Sequence, residues 1–157
     1  MKSNEIDIRL ISLSEDRNQT HMYRWEMLRY TGATIDVELS TAFRVNRRRK
    51  TVSLLIGAHY TTLRTQILRH LLDYVIEAEF EVSDFNGVVD QQSGELLIST
   101  DMLSLMLSVG IGALRGMLAL RTEGTFLSHF PLPVYDLDEL IDNVVASGQN
   151  IAVPASA

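Results

Sequence analysis

Four histidines are the side chains of this sequence best suited to metal binding or proton transfer, and they lie in different predicted elements: His21, His59, His70 and His129. A helical zinc site such as the HExxH motif places two ligands one turn apart, because both must face the same ion. None of the four histidines pairs with another histidine or a carboxylate at such a spacing. We therefore expect no zinc or iron site.

Cysteine is absent from the sequence. A thiolate metal site, a disulfide framework and a catalytic cysteine are therefore excluded. The first seven residues, MKSNEID, are polar and acidic where a secretory signal would be basic and then apolar. We expect a cytoplasmic protein without a cofactor.

Three carboxylates recur at every second position: Glu77, Glu79 and Glu81. Two carboxylates can serve as a general acid and a general base. Alternate residues of a strand share one face, however, and the charged face of an antiparallel sheet is usually hydrated. The spacing therefore favours a solvated sheet face over a catalytic pair.

A glycine-rich stretch at residues 110–116, GIGALRG, resembles the dinucleotide-binding fingerprint. That fingerprint acts at a strand-to-helix turn, whereas this stretch lies inside a run typical of a helix. No Walker loop, nucleophile elbow or kinase signature occurs in the sequence. These features favour a binding protein over an enzyme.

The chain has 20 acidic and 14 basic residues, a formal net charge of −6. Nucleic acid is not the expected partner, because neutralising phosphates needs a basic surface. One basic cluster, RRRK at residues 47–50, lies between two predicted strands. It predicts a solvated hairpin tip, and a patch for phosphate or lipid headgroups is the alternative.

Four segments alternate apolar and polar residues with the period of two that is typical of half-buried strands. The predicted strands are residues 5–13, 34–45, 52–60 and 72–82. The second and third are expected to pair antiparallel around the basic tip. Together the four predict an antiparallel sheet with an apolar inner face and a charged outer face.

A long helix is predicted at residues 101–121, with Ser99 or Thr100 as its cap and Gly124 as its stop. Its residues from 102 to 120 are apolar or small except Arg115, so a membrane span is the alternative to a buried helix. An arginine inside a membrane costs about 2.5 kcal/mol or more. We therefore expect the helix to cover its own sheet with one face.

A narrow stripe of small and polar residues follows the long helix. It includes Ser108, Gly112 and Gly116. Small residues at this spacing let two backbones approach closely. We expect these three residues to contact a second subunit and the protein to form a homo-oligomer.

A short helix is predicted after residue 135, because Asp136 and Glu139 form a capping-box pair and Gly148 can end the helix. Four strands followed by two helices predict an α+β domain at residues 1–148, with both helices on one face of a four-stranded antiparallel sheet. Residues 149–157 are predicted to be a flexible tail.

The connection at residues 14–33 is long for a compact domain and rich in aromatic residues and methionine: Met22, Tyr23, Trp25, Met27, Leu28 and Tyr30. Methionine adapts to varied shapes and aromatic rings give large contact areas, so this set suits the capture of extended apolar segments. The alternative is that Trp25 and its neighbours close the end of the core.

In the second half of the chain a long helix ends in Gly124-Thr125-Phe126, and Pro133-Val134 and then a short helix with an acidic cap follow it. This order resembles the SecB-type export chaperones. The alternating strand that ends before Phe85 is similar to the fourth strand of that family. The resemblance implies the same α+β fold and a chaperone that binds unfolded or preprotein chains.

The resemblance also implies site residues. The crossover connection with Trp25 and the stretch around Phe126 would line a peptide groove with the last helix. Two dimers would pack into a tetramer. The acidic outer face would dock the export motor ATPase through Asp36, Glu38, Glu77, Glu79 and Glu81. Arg9 and Arg44 dilute that face, which predicts weak, salt-sensitive motor binding.

Two other functions remain open at the level of sequence. A chaperone dedicated to one partner, such as an antitoxin, would use the same groove as a general export chaperone. The second alternative is a small ligand-binding or enzymatic protein with a site at the open end of the sheet.

Overall fold

The computed structural model describes residues 7–21, 34–64, 67–146 and 151–152. Within them the elements follow the order β1 (Ile8–Thr20), β2 (Ile35–Asn46), β3 (Thr51–Arg64), β4 (Ile67–Val82), α1 (Phe85–Val88), β5 (Leu96–Leu97), α2 (Thr100–Thr122), a 3₁₀ turn (Phe126–His129), α3 (Leu137–Ala146) and β6 (Ile151–Ala152). The predicted α+β architecture of four antiparallel strands, a long helix and a short helix is confirmed.

The main sheet has the order β1-β4-β3-β2, with all neighbours antiparallel. Strand β1 runs to Thr20, seven residues beyond the predicted end at residue 13. Its register against β4 shifts between Leu10 and Ser12 and again between Glu15 and Arg17. At each shift β1 has one extra residue, so the side chains that follow it change faces of the sheet. The alternation of apolar and polar residues is broken at these points, and it therefore could not predict that the strand continues beyond residue 13.

The core lies between the inner face of the sheet and helix α2. The even-numbered residues of strands β3 and β4 share the inner face, and fully buried ones include Leu54, Ile56 and Ile76. Helix α2 contributes a complementary row: Met102, Leu103, Met106, Leu107, Ile111, Leu114 and Leu118. A Cβ atom at Gly110 would lie 2.6 Å from Cδ2 of Leu54. The missing side chain at Gly110 thus lets the helix approach the central strand closely.

Helix α2 begins and ends as its sequence predicts. The Ser99 hydroxyl accepts a hydrogen bond from the backbone N–H of Met102 at 3.2 Å, and Gly124 has a φ of +74°, which favours glycine. By length and composition this helix could cross a membrane, but one such helix is a weak indication because core helices share these properties. Nine of its residues are buried against the rest of the fold.

Helix α3 packs on α2 next to the sheet. Its start is capped by Asp136, whose Oδ1 accepts hydrogen bonds from the backbone N–H groups of Asp138 and Glu139. Ile141 and Val144 of α3 are buried in the core. Inside the predicted tail, β6 pairs in parallel with β5.

The glycines of α2 should respond to alanine in opposite ways. Gly112→Ala should raise the free energy of unfolding by about 1 kcal/mol, because alanine favours the helix and nothing lies within 4 Å of the added Cβ. Gly110→Ala should lower it, because the added methyl group overlaps the fully buried Leu54. Urea unfolding measures both. An equal gain in both variants would contradict the close contact at Gly110.

Candidate functional site

The predicted peptide-binding residues of the connection lie outside the described residues. They are Met22, Tyr23, Trp25, Met27 and Tyr30. Phe126 is described: it is half-buried in the 3₁₀ turn, and its ring meets that of Phe130 edge to face at 5.3 Å. Part of Phe126 packs against the core. Its role in binding stays a prediction.

A groove of about 360 Å³ lies between strand β2 and helix α3. Among the described residues β2 is bonded to β3 on one side only, so the groove runs beside an edge strand. Its lining residues are Glu38, Leu39, Tyr135, Asp136, Glu139, Leu140 and Asn143. This site was missed in the sequence, because its position depends on where α3 packs.

The groove combines apolar and acidic surface. Leu39 and Leu140 are half-buried and pack against the core, whereas Glu38 and Glu139 are exposed. The hydroxyl of Tyr135 is buried, and none of the described residues forms a hydrogen bond with it. Burial raises the pKa of Tyr135, so this hydroxyl keeps its proton at neutral pH. The groove can therefore accept an apolar side chain and cationic groups beside it.

The stripe on helix α2 is exposed. Ser108, Gly112 and Gly116 face away from the sheet, and a Cβ at either glycine would meet nothing within 4 Å. Leu105 and Leu120 flank the stripe and are 52% and 73% exposed. The helix thus presents a smooth, partly apolar face. Contact of this face with a second subunit stays a prediction.

Arginines pair with three of the five carboxylates predicted to dock a motor. Arg44 lies 3.6 Å from Glu77, Arg49 lies 3.1 Å from Glu79, and Arg9 contacts Glu81. Glu79 is itself buried, with 7% exposure. Asp36 and Glu38 on β2 remain exposed. Arg49 adds a third neutralising charge to the two expected from the sequence, since the basic tip folds back onto the sheet.

A chain of hydrogen bonds crosses the outer face of the sheet at the opposite end from these ion pairs. Ser40 Oγ lies 2.7 Å from His59 Nε2, and His59 Nδ1 lies 2.6 Å from Asp73 Oδ1. The second carboxylate oxygen of Asp73 lies 3.0 Å from His21 Nε2. The sequence pattern did not predict this arrangement, because it depends on cross-strand register. His59 lies opposite Asp73 of β4 and opposite Glu38 of β2, two residues from Ser40.

The positions of the hydrogens on Ser40, His59 and Asp73 follow from the geometry of their hydrogen bonds. A carboxylate only accepts hydrogen bonds, so Nδ1 of His59 carries a hydrogen and donates it to Asp73. In neutral His59 the Nε2 atom then accepts from the Ser40 hydroxyl. Burial on its own would raise the pKa of Asp73, but the hydrogen bonds from His59 and His21 outweigh it and hold that pKa below its ordinary value.

No group of three His, Asp or Glu residues within 7–21, 34–64, 67–146 and 151–152 is placed to hold a metal ion. His21 and His59 both form a hydrogen bond with the carboxylate of Asp73. This arrangement suits the positioning of a proton acceptor.

The solved structures that resemble this chain include two distant ones. A SecB-like chaperone of Mycobacterium tuberculosis, solved in complex with a peptide of the HigA1 antitoxin, has a TM-score of 0.47 and 13% identity, and the match covers 82% of this chain and 86% of that chain. A Streptococcus agalactiae protein of unknown function has a TM-score of 0.39 and 11% identity, with 83% and 98% covered. No protein-family profile and no curated protein matches. At these values neither structure assigns a function to this chain.

Asp73 should stabilise the fold in a pH-dependent manner. Its folded pKa lies below the ordinary value of about 3.9, so the stabilisation is present above that value and is lost as the pH falls through the folded pKa. Asp73→Asn should therefore be less stable than the wild type near neutral pH, with a difference that shrinks in acid. Urea unfolding between about pH 2 and 7 measures it.

The control is Asp36→Asn, at an exposed carboxyl of the same sheet face. A stability difference for Asp73→Asn that is constant over the whole pH range, or that matches the difference for Asp36→Asn, would contradict the hydrogen-bonded role of Asp73.

Proposed function

We propose that this protein binds extended polypeptide segments, as a chaperone of the SecB-like type. The observation that supports the proposal is the groove between α3 and the edge strand β2. An edge strand carries backbone N–H and C=O groups that no neighbouring strand satisfies. An extended segment can pair with them while its side chains enter the adjacent groove.

The chemistry of the groove specifies the segment. Leu39 and Leu140 offer apolar contact for one side chain, and the rim carries Glu38, Asp136 and Glu139. One Asp136 oxygen is occupied by the cap of α3, which leaves Glu38 and Glu139 as the freer carboxylates. We infer that the preferred segment has apolar residues flanked by lysine or arginine. Charge complementarity of this kind speeds encounter and selects partners.

The sequence resemblance extends the proposal to clients and setting. It favours unfolded or preprotein chains as clients, a cytoplasmic protein and a tetramer formed by two dimers. Motor docking would rest mainly on Asp36 and Glu38, because the other three acidic residues have arginine partners. Binding to one dedicated partner would use the same groove.

Charge reversal on α3 tests the groove. Glu139→Lys should weaken binding of a lysine-flanked apolar peptide by about 1.5- to 5-fold, because an exposed ion pair contributes about 0.2–1 kcal/mol. Asp142→Lys is the matched control: it makes the same charge change on the same helix, and Asp142 is exposed but does not line the groove. Fluorescence anisotropy of a labelled peptide measures both affinities.

The loss for Glu139→Lys should diminish as salt is raised, since exposed charges are screened. It should disappear for a peptide whose lysines are replaced by glutamine. Equal effects of the Glu139 and Asp142 variants would place the peptide elsewhere.

We also propose that the exposed face of α2 joins two copies of this chain. Gly112→Leu and Gly116→Leu should each weaken the assembly by about 1–3 kcal/mol, because a bulky residue blocks a close helix contact. Both side chains enter open space within one chain, so the fold itself should remain intact. Light scattering over a concentration series measures the assembly. An unchanged mass in both variants, or a monomeric wild type, would contradict this interface.

A further inference from the structure

The hydrogen-bonded residues Ser40, His59 and Asp73 on the outer face of the sheet have the geometry of an activated serine. They belong neither to the groove beside α3 nor to the exposed face of α2. Their hydrogen bonds join three neighbouring strands: Ser40 on β2, His59 on β3 and Asp73 on β4. A nucleophile within hydrogen-bond reach of a base, with that base oriented by a third group, is the arrangement that activates serine in covalent catalysis. We propose that Ser40 is a nucleophile that accepts the acyl group of small carboxylic esters.

The proton path is defined by the partners. Neutral His59 presents Nε2 to the Ser40 hydroxyl at 2.7 Å, because its Nδ1 hydrogen is donated to Asp73. Asp73 accepts from His21 on its other oxygen, which fixes the carboxylate in place. Ser40 and His59 are thus the reacting groups, while Asp73 and His21 are positioning residues.

A substrate reaches the Ser40 hydroxyl from the solvent side. A Cβ atom at Gly57, directly opposite Ser40 on β3, would lie 2.8 Å from Ser40 Oγ and 2.7 Å from a methyl carbon of Val75. The side chains of Ser40 and Val75 thus already fill the space above Gly57 and leave no room for a substrate between the strands. Ser40 is partly exposed, and the His59 side chain is 23% exposed. A small ester can therefore approach the serine from the solvent side.

The proposed reaction is balanced without a further reactant. Ser40 Oγ attacks the ester carbonyl carbon while its proton passes to Nε2 of His59. The carbon–oxygen bond to the alcohol breaks, and the imidazolium returns the proton to the departing alkoxide. Water then attacks the acyl-serine with His59 again as base, and a carboxylic acid leaves.

Turnover should be slow. The backbone N–H groups of β3 and β4 around Gly57 and Val75 lie in strands that are paired on both sides, so they are not free to stabilise an oxyanion. We therefore expect stoichiometric acylation of Ser40 by an activated ester, followed by slow release.

The experiment treats the full chain with p-nitrophenyl acetate and maps acetylation by mass spectrometry. Ser14, an exposed serine on the same sheet face, is the internal control. Ser40 should be acetylated at least about tenfold faster than Ser14, as positioned general bases contribute about 10²-fold or more. Ser40→Ala should remove this site, and His59→Gln should bring the Ser40 rate down to that of Ser14.

A second position separates activation from simple exposure. Asp73→Asn should lower the ratio of Ser40 to Ser14 labelling, because His59 then lacks the carboxylate that orients it. Asp73→Glu, which keeps a carboxylate, should lower the ratio less. Circular dichroism checks that each variant is folded, and the wild-type ratio of Ser40 to Ser14 labelling decides the question if a variant is not.

Two results would overturn the proposal. One is labelling of Ser40 no faster than that of Ser14. The other is a folded His59→Gln variant that labels Ser40 at the wild-type rate.

Discussion

Close contact between Gly110 of helix α2 and Leu54 of the central strand β3 determines how the rest of the molecule is arranged. It lays the long helix directly on the inner face of the sheet, with its apolar row buried. The opposite side of the helix, with Gly112 and Gly116, is consequently left exposed. Helix α3 packs on α2, and its first two turns lie beside β2, which creates the groove. Both proposed binding surfaces follow from this one contact.

Covering only one face of the sheet leaves the other face for polar chemistry. Toward the basic tip, arginines neutralise carboxylates, and Glu79 is buried beneath Arg49. Toward the other end, Ser40, His59 and Asp73 form a hydrogen-bonded chain. Both clusters join side chains that are 14 to 72 residues apart in the sequence. The outer face is therefore organised by register rather than by local sequence.

The sequence predicts what depends on local pattern. Alternation around Leu54 and Ile76 defines the strands, and Ser99 and Asp136 define two helix starts. It could not predict the length of β1, because Ile11 and Asp16 shift the register. The hydrogen bonds among Ser40, His59 and Asp73 could not be predicted either, because they depend on the strand order. The groove depends in addition on where α3 packs. Trp25 and its neighbours, which the sequence predicts to bind peptide, lie outside the described residues.

The central claim is that an extended polypeptide pairs with the edge of β2 beside helix α3. Amide hydrogen exchange of the wild-type protein, with and without an excess of a lysine-flanked apolar peptide, tests it most directly. The account predicts slower exchange at alternate amides of Ile35–Asn46 and in Leu137–Ala146, and no change in β1. Protection confined to β1, or none along β2, would contradict it.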